Sequence, residues 1–106
     1  MNRHLELSDE ELASKIQNGQ IDFFATLLER YQENIGRYGK KFLSNDENIE
    51  DVVQEVFIKT YQNIKSFNTS QKFSPWIYRI AHNTYINALK KHSKGPLYLF
   101  DFDTLL

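Results

Sequence analysis

The stretch "IEDVVQEVFIKTYQNIKSFNTSQKFSPWIYRIAHNTYINALKK", residues 49–91, decides the fold. In its first part Ile49, Val53, Val56, Phe57, Thr60 and Ile64 recur at spacings of three and four. That period predicts an amphipathic helix over about 49–64. Asp51, Gln54, Glu55, Ile58 and Gln62 fall on its outer side. "SFNTSQ", residues 66–71, is a polar break rich in turn formers. A second helix is expected beyond it. Ser74 is placed to cap it, and Pro75 suits a first helical position, where its missing N–H would have had no partner. Phe73 is placed to staple against Tyr78. Phe73, Ile77, Ile80, Ala81, Thr84 and Ala88 make the inward stripe, and Gly95-Pro96 ends the helix. Two such helices joined by a short loop predict a helical hairpin.

Working outward, two more helices precede the hairpin. "SDEE" at 8–11 places a Ser cap three residues before Glu11, the pattern of a capping box. Leu12 and Ile16 give that helix an apolar edge, and Gly19 is its stop. The next helix is expected from about Asp22 to Leu43, on a stripe of Phe24, Leu27, Leu28, Tyr31, Ile35, Tyr38 and Phe42. Gly36 and Gly39 weaken its second half and would let another helix come close. "SNDEN", residues 44–48, is taken as a loop. No strand pattern competes, so the expected fold is all-α with four helices. Residues 1–95 form one domain, and 96–106 are a tail or the start of a linker.

The charge is divided along the chain. Residues 1–57 carry 6 Lys/Arg against 12 Asp/Glu, and residues 58–95 carry 7 Lys/Arg and no acid. The acid-free run lasts from Ile58 to Phe100, where the chain's average acid content would put about six. An acidic half and a basic half suggest two different partners, one of them a polyanion. The plainer alternative is that the halves pair with each other. Residues 73–91 also set Trp76, Tyr78 and Tyr85 beside Arg79, Lys90 and Lys91. Aromatic rings interleaved with cations suit a nucleic-acid strand, because bases stack on rings and phosphates pair with Lys and Arg.

Other chemistries are poorly supported. No glycine-rich phosphate loop is present. His4, His82 and His92 lack ligand spacing, and His82 falls on an outer face as a solvated side chain. Asp51 and Glu55 lie one helical turn apart, yet no pocket is implied, so a surface role is expected in place of acid–base work. Neither a cofactor nor an enzymatic activity is expected. The 106 residues contain no cysteine, which excludes disulfides and fits a cytoplasmic protein. No apolar run approaches the roughly 20 residues that span a bilayer, so membrane insertion is not expected.

The third and fourth helices resemble region 2 of bacterial sigma factors, specifically the extracytoplasmic-function (ECF) group. An Asp-x-x-Gln-Glu-x-Phe motif opens the third helix as Asp51, Gln54, Glu55 and Phe57. A Trp-Ile-Tyr-Arg-Ile-Ala-x-Asn run follows from Trp76 to Asn83. The stretch "IQNGQIDFFATLLERYQENI" is similar to the family's second-helix opening, and the likeness covers roughly residues 8–92. The resemblance implies that Asp51, Gln54, Glu55 and Ile58 dock on the beta-prime clamp helices of core RNA polymerase. It also implies that the loop and fourth helix bind the non-template strand of the promoter minus-10 element and help melt it. Tyr61, Lys65, Asn68, Thr69, Ser70, Gln71, Lys72, Trp76, Tyr78, Arg79, Asn83 and Lys90 are the residues expected to meet DNA. Trp76 and Tyr61 read equally as core or surface, whereas Tyr78 and Arg79 lie off the inward stripe. An anti-sigma factor is a further expected partner. Asn87 stands where the family often has Asp, and Lys90 and Lys91 stand where it often has Arg. After residue 96 there is no counterpart of the family's minus-35 domain, so the chain is read as a fragment or an incomplete relative. The competing reading is a sigma-like decoy that binds an anti-sigma factor without binding DNA; it would have no need of the basic aromatic segment.

Overall fold

The computed structural model describes residues 6–92, and these form four α-helices. The Gly95-Pro96 stop and the 96–106 tail lie outside the described residues. α1 spans Asp9–Gln17, α2 Phe23–Gly39, α3 Asp46–Asn63 and α4 Phe73–His92, with a 3-10 turn over Ile64–Ser66. No strand occurs among the described residues.

The predicted capping box is present. Ser8 Oγ accepts from Glu11 N at 3.0 Å, and Glu11 Oε1 accepts from Ser8 N at 2.9 Å. The backbone and side-chain bonds with Ser8 hold the Glu11 carboxyl below its ordinary range. Asp9, Glu10 and Glu11 place negative charge where the first turn exposes its N–H groups. α1 stops at Gln17, and Gly19 supplies the positive φ of 95° that turns the chain back.

α2 ends four residues before the expected Leu43. The Gly39 carbonyl accepts from both Phe42 N at 2.9 Å and Leu43 N at 3.0 Å. This tight turn leaves the helix axis and tucks Phe42 and Leu43 into the core. The chain then restarts earlier than expected. Asn45 Oδ1 accepts from Glu47 N at 2.8 Å and Asn48 N at 3.2 Å, so part of the supposed loop is the cap and first turn of α3.

The start of α4 also departs from expectation. It begins at Phe73, whose N–H donates to Glu10 Oε2 at 2.7 Å, so a side chain from α1 takes the role expected of Ser74. α3 and α4 pack as the expected hairpin and form the most extensive helix–helix contact. Val52 and Tyr85 join the predicted stripes as buried residues.

The largest fully buried side chain is Tyr85, so of the rings set beside Arg79, Lys90 and Lys91 in the sequence this one is not open to a strand. It stacks on Phe42 with centroids 5.5 Å apart and meets Tyr38 edge-on at 6.1 Å. Tyr78 is half-buried between Tyr31 at 6.2 Å and Tyr38 at 5.7 Å. Most of the aromatic character of α4 therefore zips it to α2. Offset and edge-on ring pairs of this kind add stabilisation beyond the area they bury.

Candidate nucleic-acid and partner interface

On α3, Asp51, Gln54, Glu55 and Ile58 are all exposed, as their spacing predicted. At about 100° per residue, Asp51, Glu55, Ile58 and Gln62 fall in one narrow arc, with Gln54 beside it. Glu55 pairs with Lys59 at 3.1 Å, and Lys59 Nζ also reaches Thr84 Oγ1 of α4 at 3.5 Å. Ile58 is 58% exposed, a large apolar group facing solvent next to these acids. Tyr61 is 44% exposed and meets Phe24 of α2 edge-on at 5.1 Å. Phe24, Leu28, Phe57, Ile58, Tyr61 and Gln62 line one shallow apolar groove. The structure thus groups Tyr61 with Ile58 and apart from α4. The α2 wall of this groove was missed in the sequence, where Phe24 and Leu28 read as core.

The loop between α3 and α4 is polar and outward. Asn68, Ser70, Gln71 and Lys72 are exposed, and Thr69 is half-buried. Asn68 has a job within the turn. Its Oδ1 accepts from Ser70 N at 3.0 Å and Ser70 Oγ at 2.7 Å, while its carbonyl accepts from Gln71 N at 3.0 Å. Such an Asx turn fixes the loop through its own side chain. Thr69, Ser70 and Gln71 are thereby presented around the Asn68 pivot.

Beyond the loop, Arg79, Asn83 and Lys90 are exposed and fall within about 40° of one another on the α4 circumference. Trp76 is half-buried, packed on Phe67 at 5.2 Å and Phe73 at 5.5 Å, so it is a wall of the loop's base with one part open. Lys65 is exposed at the 3-10 turn, and it lines a cleft with Ile16, Ile21 and Tyr61. His82 is not solvated as its helical position suggested. It is half-buried beside Phe42, and its Nδ1 shares a hydrogen bond of 2.8 Å with the Tyr38 hydroxyl. The site residues therefore divide into an acidic and apolar α3 face and a surface of polar loop and basic helix, which adjoin along a cleft lined by Asp51, Glu55, Asn87 and Lys91.

Two residues of α1 hydrogen-bond the backbone at the loop's ends. Gln17 Nε2 donates to Ile64 O at 2.8 Å and Phe67 O at 2.7 Å. Glu10 receives Phe73 N–H on the other side. Neither has a sequence signal, because each bond joins residues far apart in the chain. Among the described residues no group of three His, Cys, Asp or Glu is arranged to hold a metal ion, and no helix is long and apolar enough to cross a membrane.

Four helices in this order, with an exposed polar loop in the hairpin and acidic and basic side chains on different helices, define a small helical domain built on the α3–α4 hairpin. The model of the Sigma-70 region 2 family matches residues 27–95, and the chain belongs to that family. It is 36% identical over 97 residues to the ECF RNA polymerase sigma factor SigW of Bacillus subtilis, covering 92% of this chain and 51% of that protein. It is 38% identical over 91 residues to the ECF RNA polymerase sigma-E factor of Haemophilus influenzae, covering 86% and 48%. The chain thus spans about half the length of the curated relatives it matches. Among solved structures, it superposes with a TM-score of 0.76 on an engineered region 2 of sigmaE, solved by NMR in complex with GTAAAA. That match has 37% identity and covers 86% of this chain and 93% of the other. The all-α, four-helix region 2 fold expected from the sequence is the fold observed.

Proposed function

We propose that this domain binds core RNA polymerase through α3 and captures the non-template strand of a promoter minus-10 element with the 68–72 loop and α4. The observation that carries the reading is the likeness to a region 2 held in complex with GTAAAA, combined with a loop whose short polar side chains face outward here. Polar loop groups suit an unstacked base, because hydrogen bonds to its edge offset the few kcal/mol of extrusion and are left unpaired by a wrong base. Arg79, Lys90, Lys72 and Lys65 supply the phosphate contacts that position the strand. On α3, Asp51, Gln54, Glu55 and Ile58 form the polymerase-docking face, which points to the beta-prime clamp helices and a cytoplasmic place of action. The apolar groove lined by Phe24, Leu28, Ile58 and Tyr61, which shares Ile58 with that face, is the surface offered to an anti-sigma factor.

The test is binding of the chain to core polymerase and, separately, to GTAAAA and its single-base variants. With four to six phosphates neutralised, log affinity falls against log salt with a slope of roughly −3 to −4. Arg79→Ala with Lys90→Ala weakens all strands together and makes that slope shallower. Thr69→Ala with Gln71→Ala flattens the preference among strands and leaves the slope unchanged. Polymerase binding without any strand binding, alone or in the complex, would favour the decoy reading.

A further inference from the structure

We propose that α1 acts as a clamp that sets the shape of the 68–72 loop, with Gln17 and Glu10 as positioning residues for base discrimination. The inference rests on the loop being the base reader. At the loop's near end the 3-10 turn Ile64–Ser66 gives way to Phe67, whose N–H donates to Ile64 O at 3.1 Å. Gln17 uses its single amide nitrogen to bridge Ile64 O and Phe67 O, at 2.8 and 2.7 Å, and so fixes both ends of that turn. The loop's far end enters α4 at Phe73, whose N–H is held by Glu10 Oε2 at 2.7 Å. Only five residues, Asn68 to Lys72, lie between the two anchored positions. Both anchors stand on one nine-residue helix, so they are held at a fixed separation.

That helix is itself tied down. Asp9 accepts from Arg30 Nη1 at 2.9 Å and from the Tyr31 hydroxyl, both on α2. Leu12, Ala13 and Ile16 are buried in the common core. The loop's internal Asn68 turn then has two fixed ends, and its side chains have little freedom to adapt to a wrong base. Discrimination depends on such pre-organisation, because a pliant loop recovers with an incorrect base part of what it loses. Phosphate contacts need less fixing: Arg79 and Lys90 lie on α4, beyond the clamp, and the long, flexible side chains of Lys65 and Lys72 make undirected charge contacts that tolerate a shifted backbone. A loss of clamp should therefore change which strand is preferred, and not how strongly strands bind in general.

The isosteric change Gln17→Glu removes both donors and keeps the side chain's shape. Glu10→Ala removes the acceptor at the other end, and Glu10→Gln retains one. The full chain and each variant are titrated with GTAAAA and its single-base variants, with thermal melting in parallel. The expected result is a fall of about threefold or more in the preference ratio for Gln17→Glu and Glu10→Ala. Affinity for the disfavoured strands and the salt slope should stay within about twofold, and Glu10→Gln should recover most of the preference. Unchanged preference ratios in both anchor variants, with Thr69→Ala and Gln71→Ala still flattening them, would overturn the clamp and leave the loop as reader. Equal weakening on every strand, tracking a lower melting temperature, would reduce α1 to a purely structural element and overturn it too. No preference in the unmodified chain would remove base reading itself, and the clamp with it.

Discussion

Tyr85 of α4 occupies the space that any side chain at Gly39 of α2 would need. A Cβ built on Gly39 would collide with the Tyr85 hydroxyl and ring. The hydroxyl passes over the glycine to donate to Ile35 O at 2.9 Å, one helical turn earlier. The two helices can approach this closely only because position 39 has no side chain.

Gly39→Ala should therefore destabilise the domain, although alanine is the better helix former. Overpacking a core costs roughly 1–3 kcal/mol, which outweighs the ~1 kcal/mol that alanine returns in helix propensity. Tyr85→Phe should cost about 1 kcal/mol, from the lost bond alone. Combining Gly39→Ala with Tyr85→Leu should cost less than the sum of the single changes, since the collision has then been relieved. Urea unfolding of the parent chain, the single variants Gly39→Ala, Tyr85→Phe and Tyr85→Leu, and the double variant reads all of these values. An unaltered midpoint in Gly39→Ala would mean that α4 is free to shift away.

Alkaline pH should weaken the fold through the same tyrosine. Burial pushes the Tyr85 hydroxyl from its ordinary 10.0 up to about 12. For Tyr31, burial first and the Asp9 carboxylate second also raise the hydroxyl well above its usual range. Both groups keep their protons in the folded state after the unfolded chain has lost them. Their contribution is thus complete below pH 10 and is lost as pH rises toward 12, with a limiting slope of about 1.4 kcal/mol per pH unit for each group. Melting temperatures recorded from pH 8 to 11.5 should fall above 10, and less steeply for Tyr85→Phe. A flat profile would contradict the burial of both hydroxyls.

Gln54→Ala with Glu55→Lys should abolish polymerase binding and leave the fold nearly intact. Both side chains are exposed, so no cavity forms. The lost Lys59–Glu55 pair is an exposed i,i+4 contact worth no more than about 0.5 kcal/mol. A charge reversal facing a basic partner costs several kcal/mol at the interface. Pull-down with core polymerase beside a circular-dichroism melt separates the two effects. Retained polymerase binding would move the docking face elsewhere.

The helices and the hairpin were legible because their information is local. Ser8 and Glu11 cap within one turn, and Ile49, Val53 and Val56 repeat with the helical period. What escaped the sequence depends on long-range contact. Tyr85 and Tyr78 look like rings open to a strand until α2 is laid against them, and His82 looks solvated until Tyr38 arrives. Nothing in the sequence shows that the Phe73 N–H at the start of α4 is held by Glu10, because that residue lies 63 positions earlier. The loop's polar composition was readable, yet the division of labour inside it was not: Asn68 turns out to hold the turn that presents its neighbours.

The bonds from Gln17 to Ile64 and Phe67, and from Phe73 to Glu10, span 47, 50 and 63 residues. These are among the most topologically distant links in the domain, and in folding each must wait for nearly the whole chain to collapse. Chain closure over such distances is entropically costly, whereas the neighbouring α3–α4 hairpin closes locally. The 68–72 loop should accordingly be the last part to acquire its final shape and the first to lose it. In kinetic terms Gln17→Ala should accelerate unfolding and hardly slow refolding, a φ-value near zero. A markedly slowed refolding limb would place α1 in the nucleus instead.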